Sequence, residues 1–222
     1  MPSLFPPGAG VVFDMDGLML DTESIAKVVW QEAARLAGYE MPDKLFHSLI
    51  GRSKPASAEL LGAAFGPGFD FEKMYAACSA LYEAHIARDG IPLMPGIREL
   101  LSDLTTRGIP IGVATSTRNP IATQRLERVG LLPFFRVVVG GNEITHGKPA
   151  PDIYLEAVRR LGIDAAISFA LEDSHAGIRA AHGAGLKVIM VPDLVAPTPE
   201  IEKLTWRVAK ALHEVRGWFA EA

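Results

Sequence analysis

Asp14 and Asp16 stand two residues apart, directly after the apolar run Gly10-Val11-Val12-Phe13, and Gly17 follows at once. In extended backbone, residues i and i+2 share a face, so both carboxylates lean into one small space. Adjacent anions repel unless a cation lies between them or one carries a proton. Gly17 lets the chain turn sharply or approach a ligand closely. Such a strand end suits a hard cation and a carboxylate meant to react. Asp and Gly also favour ordinary turns, and four residues alone do not separate the two readings.

Three further groups follow apolar runs in the same way. Ile111-Gly112-Val113-Ala114 leads to Thr115-Ser116-Thr117 and then Arg118-Asn119. Gly140-Gly141 is followed by His146-Gly147-Lys148-Pro149, and Phe169-Ala170-Leu171 delivers Glu172-Asp173-Ser174. Singly, these read as a polar turn capping a helix, a solvated charge, and acids favouring a helix N-terminus. Lys148 is more constrained than a free surface lysine, because a following proline biases it to extended backbone. Ligands of an open parallel sheet bind outside the carboxyl ends of its strands. Four such deliveries at successive strand ends make a coherent set. Carboxylates suit Mg²⁺, and hydroxyls, a lysine and backbone N–H groups suit phosphoryl oxygens.

The elements that must position these groups alternate regularly. Strand patterns run from Ile109 to Ala114, Arg136 to Val139, Ile167 to Leu171 and Lys187 to Val191. Helical patterns separate them, from Ile97 to Arg107, from Asn119-Pro120 (N-cap and first helical position) to near Gly130, from Pro151 to Leu161 and from Ser174 to Ala184. This predicts an α/β fold, a doubly wound, mostly parallel sheet. Between about Thr22 and Arg88 only helical patterns occur: Ile25, Val29, Ala33 and Leu36 closing at Gly38, then 42–50, 55–65 and 71–88. The expected organisation is a catalytic core of residues 1–18 and 92–222, with an all-helical cap, 19–91, inserted after the first strand. The stretch after Pro192, with Trp206 and Trp218, reads as a loop and closing helices without chemistry.

Composition sets outer limits. A chain of 222 residues with 49% hydrophobic content and a net charge of −4 is compact and carries no basic stripe for nucleic acid. Its single cysteine, Cys78, excludes an intramolecular disulfide and falls in an Ala-rich helical stretch as a buried, inert thiol. No signal peptide or membrane span is legible. A cytoplasmic protein is expected, with no nucleic-acid or membrane partner and nothing that demands more than a monomer.

Taken together, the motifs resemble those of the haloacid dehalogenase-like (HAD) superfamily, in the subgroup with a helical cap after the first strand that holds beta-phosphoglucomutase and many small-sugar phosphatases. Asp14-Met15-Asp16-Gly17 is similar to its first motif, Thr115 to the second, Lys148 to the third and Glu172-Asp173 to the fourth. The likeness covers essentially the whole chain, including Pro95-Gly96 at the return to the core. It implies a Mg²⁺-dependent phosphatase acting on a small phosphomonoester, a sugar phosphate or nucleoside monophosphate. Asp14 would be the nucleophile and Asp16 the general acid and then base. Asp14, Asp16 through its main-chain carbonyl, and Asp173 would hold Mg²⁺, with Glu172 as a further ligand or orienting the metal's waters. Thr115, Ser116 and Lys148 would bind the phosphoryl group. Substrate contacts would come from Glu23, Arg52 and Lys54 of the cap and from Asn119.

The second Asp argues against a true dehalogenase, which needs no acid there. A hexose-phosphate mutase is the nearer alternative. Beta-phosphoglucomutase carries a histidine five residues beyond the Asp that matches Asp21, and here that residue is Ala26. A phospho-accepting signalling receiver is a distant alternative, since receivers are shorter and lack the helical insertion.

Overall fold

A computed structural model describes residues 4–50 and 54–220. Two compact units emerge, one formed by Met1–Asp21 with Pro92–Ala222 and the other by Thr22–Ile91.

The first unit is built on a six-stranded sheet. In chain order the strands are β1 (Val11–Phe13), β2 (Ile111–Thr115), β3 (Val137–Gly140), β4 (Phe169–Glu172), β5 (Lys187–Met190) and β6 (Arg207–Val208). All neighbouring pairs are parallel, in the spatial order β3-β2-β1-β4-β5-β6. β1 is therefore central, with Val11 in register with Ile111 on one side and Phe169 on the other. Burial of all three β1 residues explains their unbroken apolar pattern, since strands of a covered parallel sheet need no polar face.

Helices α5 (Ile97–Thr106), α6 (Ile121–Arg128), α7 (Asp152–Leu161) and α8 (His175–Gly183) alternate with the strands, and short α9 (Pro199–Glu202) and α10 (Leu212–Ala220) close the unit. In α5, Ile97, Leu100, Leu101 and Leu104 are buried, the i, i+3, i+4, i+7 stripe of a helix on a sheet. One core cluster joins Val12, Ala114, Val139, Tyr154, Ala170, Ile178 and Met190 across the sheet and its helices.

The second unit holds α1 (Thr22–Leu36), α2 (Asp43–His47), α3 (Lys54–Phe65) and α4 (Phe71–Asp89). Its own core contains Ala33, Ala34, Phe46, Leu61, Met74 and Cys78. Burial pushes the Cys78 thiol up to about 12, so it behaves as a small apolar side chain.

The structure departs from the sequence pattern in four places. Leu36 is 62% exposed, because Ala34 takes the inward position in the last turn of α1. Residues 19–21 group with the sheet unit, since Asp21 and Met94 N–H donate to the carbonyls of Pro92 and Met19, and Leu20 bridges to Leu93. Helix α6 starts at Ile121, after a cis Asn119–Pro120 bond. The C-terminal stretch adds β6 beside β5, with Trp206 against Phe169 and the Arg207 guanidinium over Trp206 and Trp218. Among the described residues no helix is long and apolar enough to cross a membrane.

Candidate active site

β2 and β4 flank β1, so Thr115, Asp14 and Glu172 arrive at adjacent strand ends. The Asp14 N–H donates to the Leu171 carbonyl at 3.0 Å, continuing the β1–β4 ladder past the named strand. The strand order turns back at this centre, which is where open α/β sheets place their ligand crevice.

Glu172 is fully buried and organises one side of the site. Its Oε1 accepts from Lys148 Nζ at 2.6 Å and from the Tyr154 hydroxyl at 2.9 Å. Its Oε2 accepts from the backbone N–H of Asp173 at 3.1 Å, and from the N–H and hydroxyl of Ser174, each at 3.0 Å. The Ser174 hydroxyl in turn accepts from Gly177 N–H and caps α8. A Cβ at Gly177 would fall 1.6 Å from Glu172 Oε1, so only glycine lets α8 approach this carboxylate.

Lys148 also donates to Asp14 Oδ1, bridging the two buried acids with its own ammonium buried. A candidate cation cluster then remains, because Asp14, Glu172 and Asp173 each offer an oxygen within 4.8 Å of the others. Burial pushes the Asp14 carboxyl up from 3.8 to about 8, against the pull of Lys148, with Glu172 and Asp16 adding repulsion. Burial, with the charges of Glu172 and Asp14, likewise raises Asp173 well above the carboxylate range. One ammonium is too little positive charge for three clustered acids, and the deficit is met by a proton or a divalent cation. The all-oxygen donor set fits Mg²⁺. Gly17, at φ +83°, leaves the space that Asp173 Oδ2 uses, since a Cβ there would lie 2.4 Å from that oxygen.

Asp16 lies on the other side. Its Oδ2 accepts from the Thr117 hydroxyl at 2.6 Å and the Thr115 hydroxyl at 3.2 Å, and its Oδ1 faces Arg125 Nη1 at 3.4 Å. The buried Thr115 hydroxyl also accepts from Thr117 N–H at 3.1 Å, fixing the turn after β2. The two aspartates thus have different neighbours, Asp14 with ammonium and acids and Asp16 with hydroxyls and a guanidinium. That division suits one group that bonds to phosphorus and another that moves protons.

The structure brings Asp14, Asp16, Thr115, Lys148, Glu172 and Asp173 to one sheet edge, with Ser116 exposed in the same turn. Asn119 is engaged elsewhere, its amide donating to Glu143 and the Val138 carbonyl while its oxygen accepts from Thr123. Glu23 and Lys54 line a cavity of about 300 Å³ within the helical unit, with Ala26, Trp30, Phe71 and Tyr75. Lys54 pairs with Glu72 at 2.8 Å and lies 4.4 Å from the Tyr75 ring centroid. Arg52 lies outside the described residues. His146 pairs with Asp152, and His175 meets the Ala196 carbonyl.

Sequence reasoning left Thr117, Arg125 and Tyr154 without roles. Thr117 stood in a quoted motif and only its partner was unreadable. Tyr154 fits the inward face of α7 as a core aromatic, and Arg125 becomes legible only once the register of α6 is known.

Residues 11–191 match the family of haloacid dehalogenase-like hydrolases. A phosphorylated carbohydrates phosphatase of Thermotoga maritima is 30% identical over 81% of this chain and 82% of its own. A fructose-1-phosphate phosphatase of Escherichia coli is 32% identical over 82% of this chain and 96% of its own. The crystal structure of beta-phosphoglucomutase from Clostridium difficile superposes with a TM-score of 0.70 over 96% of this chain and 97% of that one, a likeness of fold at 23% identity. The chain belongs to the haloacid dehalogenase-like hydrolases and is a phosphoric monoester hydrolase.

Proposed function

We propose that this protein is a Mg²⁺-dependent phosphatase that hydrolyses a small phosphomonoester, a sugar phosphate or nucleoside monophosphate, through an aspartyl-phosphate at Asp14. The observation that carries the reading is the asymmetric pair at the end of β1, with Asp14 bonded to Lys148 and Asp16 to Thr115 and Thr117.

An Asp14 oxygen attacks phosphorus in line as the bond to the leaving alkoxide breaks. Asp16 gives its proton to that alkoxide, then takes one from the water that attacks the aspartyl-phosphate. Two displacements replace one difficult hydrolysis. Lys148 offsets the repulsion between the Asp14 carboxylate and a phosphate dianion and holds Asp14 in aim. Thr115 and Ser116 bind the phosphoryl oxygens. Asp14, Asp173 and the main-chain carbonyl of Asp16 would hold Mg²⁺. When bound, the ion supplies charge neutralisation at the transferring phosphoryl group. Glu172 has both oxygens occupied by donors and acts by orienting Lys148 and Asp173.

Substrate preference is assigned to the helical unit, since the sheet edge reads only the phosphate. Sugar-phosphate phosphatases among the relatives support a phosphorylated carbohydrate. Ala26, in place of the mutase histidine, favours transfer to water over transfer to a second sugar hydroxyl. The test is phosphate release from hexose phosphates, beta-glucose 1-phosphate and nucleoside 5′-monophosphates, with Mg²⁺ and then EDTA. Metal-dependent release by the native protein and none by Asp14→Asn supports the proposal. Conversion of beta-glucose 1-phosphate to the 6-phosphate without release would make it a mutase.

A further inference from the structure

We propose that Arg125 is a positioning residue for Asp16, directing its transferable proton to one of its two oxygens. The inference rests on the phosphatase reading above and assigns a role to a residue outside the four motifs. Arg125 lies in the second turn of α6, its side chain only 15% exposed, and its Nη1 faces Asp16 Oδ1 at 3.4 Å. Ala122 and Leu126 bury the adjoining face of that helix. Side chains on a helix lean toward its N-terminus, so Arg125 reaches back to the end of β2, where Asp16 sits against Thr115 and Thr117.

The two Asp16 oxygens meet partners of different chemistry. A guanidinium has only donors, whereas a hydroxyl can donate or accept. A proton on Oδ1 would therefore point a donor at a donor. A proton on Oδ2 is tolerated, because the Thr115 and Thr117 hydroxyls can rotate to accept it. Arg125 thus holds Oδ1 as a fixed acceptor, and the proton resides on Oδ2. In the acid step the Oδ2–H bond breaks and its proton goes to the leaving alkoxide oxygen. At the same time the bond from that oxygen to phosphorus breaks and the Asp14–phosphorus bond forms. In the base step Oδ2 takes a proton from the attacking water as the water oxygen bonds to phosphorus. The Asp14–phosphorus bond breaks at the same time, releasing inorganic phosphate and the free Asp14 carboxylate. Without Arg125 the carboxyl can turn over or protonate on the wrong oxygen, so fewer encounters place the proton correctly.

The test compares two leaving groups. An alkyl phosphomonoester needs a proton on its alkoxide, whereas p-nitrophenyl phosphate expels a stable phenolate without one. kcat/KM reports the steps up to aspartyl-phosphate formation, and it is measured on both esters for the native protein, Arg125→Gln and Arg125→Lys, each checked by thermal unfolding. Arg125→Gln is expected to lose about tenfold more on the alkyl ester than on p-nitrophenyl phosphate, a fraction of the whole acid–base contribution. Arg125→Lys, which keeps a donor-only cation, should recover part of that difference and carries the comparison if the Gln variant does not fold. Equal losses on both esters, or no loss, would overturn the role. Failure of the native protein to release phosphate from either ester would instead overturn the phosphatase reading, and this inference with it.

Discussion

The Tyr154 hydroxyl donates to Glu172 Oε1 at 2.9 Å, and that oxygen also accepts Lys148 Nζ at 2.6 Å. A phenol buried in the core beneath the sheet edge is thereby linked to Asp14, since Lys148 also bonds that carboxylate. Burial, reinforced by the Glu172 charge, holds the Tyr154 pKa well above its ordinary value, so it remains a neutral donor at any working pH.

Tyr154→Phe removes one donor from a buried carboxylate while leaving the ring and four other donors in place. A hydrogen bond to a charged group contributes about 1.5–3 kcal/mol, and the remaining donors bring the expected loss to the lower end. Urea unfolding should show it, together with a modest fall in kcat as Lys148 gains freedom. Unchanged stability and kcat would mean that the phenol serves only as core volume.

Gly177→Ala tests the closeness of α8 to Glu172. The added methyl collides with Oε1, so either the helix or the carboxylate must move. Overpacking costs about 1–3 kcal/mol, and displacement of Glu172 also loosens Lys148. Denaturant midpoint and phosphate release should both fall. A variant with native stability and activity would show that the helix has slack here.

The Asp14 carboxyl gives a pH dependence with a definite sign. Its pKa is raised from 3.8 to about 8 in the folded protein, so between those values the native state binds more protons than the unfolded chain. Metal-free stability therefore falls as pH rises across that window. Mg²⁺ must displace the proton to bind, so its stabilisation grows with pH and levels off above about 8. Melting temperatures with Mg²⁺ and with EDTA at several pH values measure this. An increment that stayed constant from acid to neutral pH would remove Asp14 from the ligand set.

Much of the fold is legible because period and punctuation agree. The apolar runs of β1, β2, β4 and β5 are unbroken, since both sheet faces are covered. The boundaries of α5 and α8 follow Pro95-Gly96 and Ser174. β6 escapes because it is two residues long with a charged first position, so no apolar run announces it. The acids, hydroxyls and lysine are legible because each follows directly on a strand or its loop. Tyr154 and Arg125 are not, because their contacts to Glu172 and Asp16 span 18 and 109 residues. Asn119 shows the converse limit, since its place in a motif segment says nothing of its bond to Glu143.

The central claim is that Asp14 carries the phosphoryl group. Quenching the enzyme during turnover with sodium borohydride reduces an aspartyl-phosphate to homoserine, and peptide mass spectrometry then locates it. Homoserine at position 14, dependent on substrate and absent in Asp14→Asn, is the predicted result. Continued phosphate release with aspartate intact at position 14, or homoserine at another position, would contradict the account.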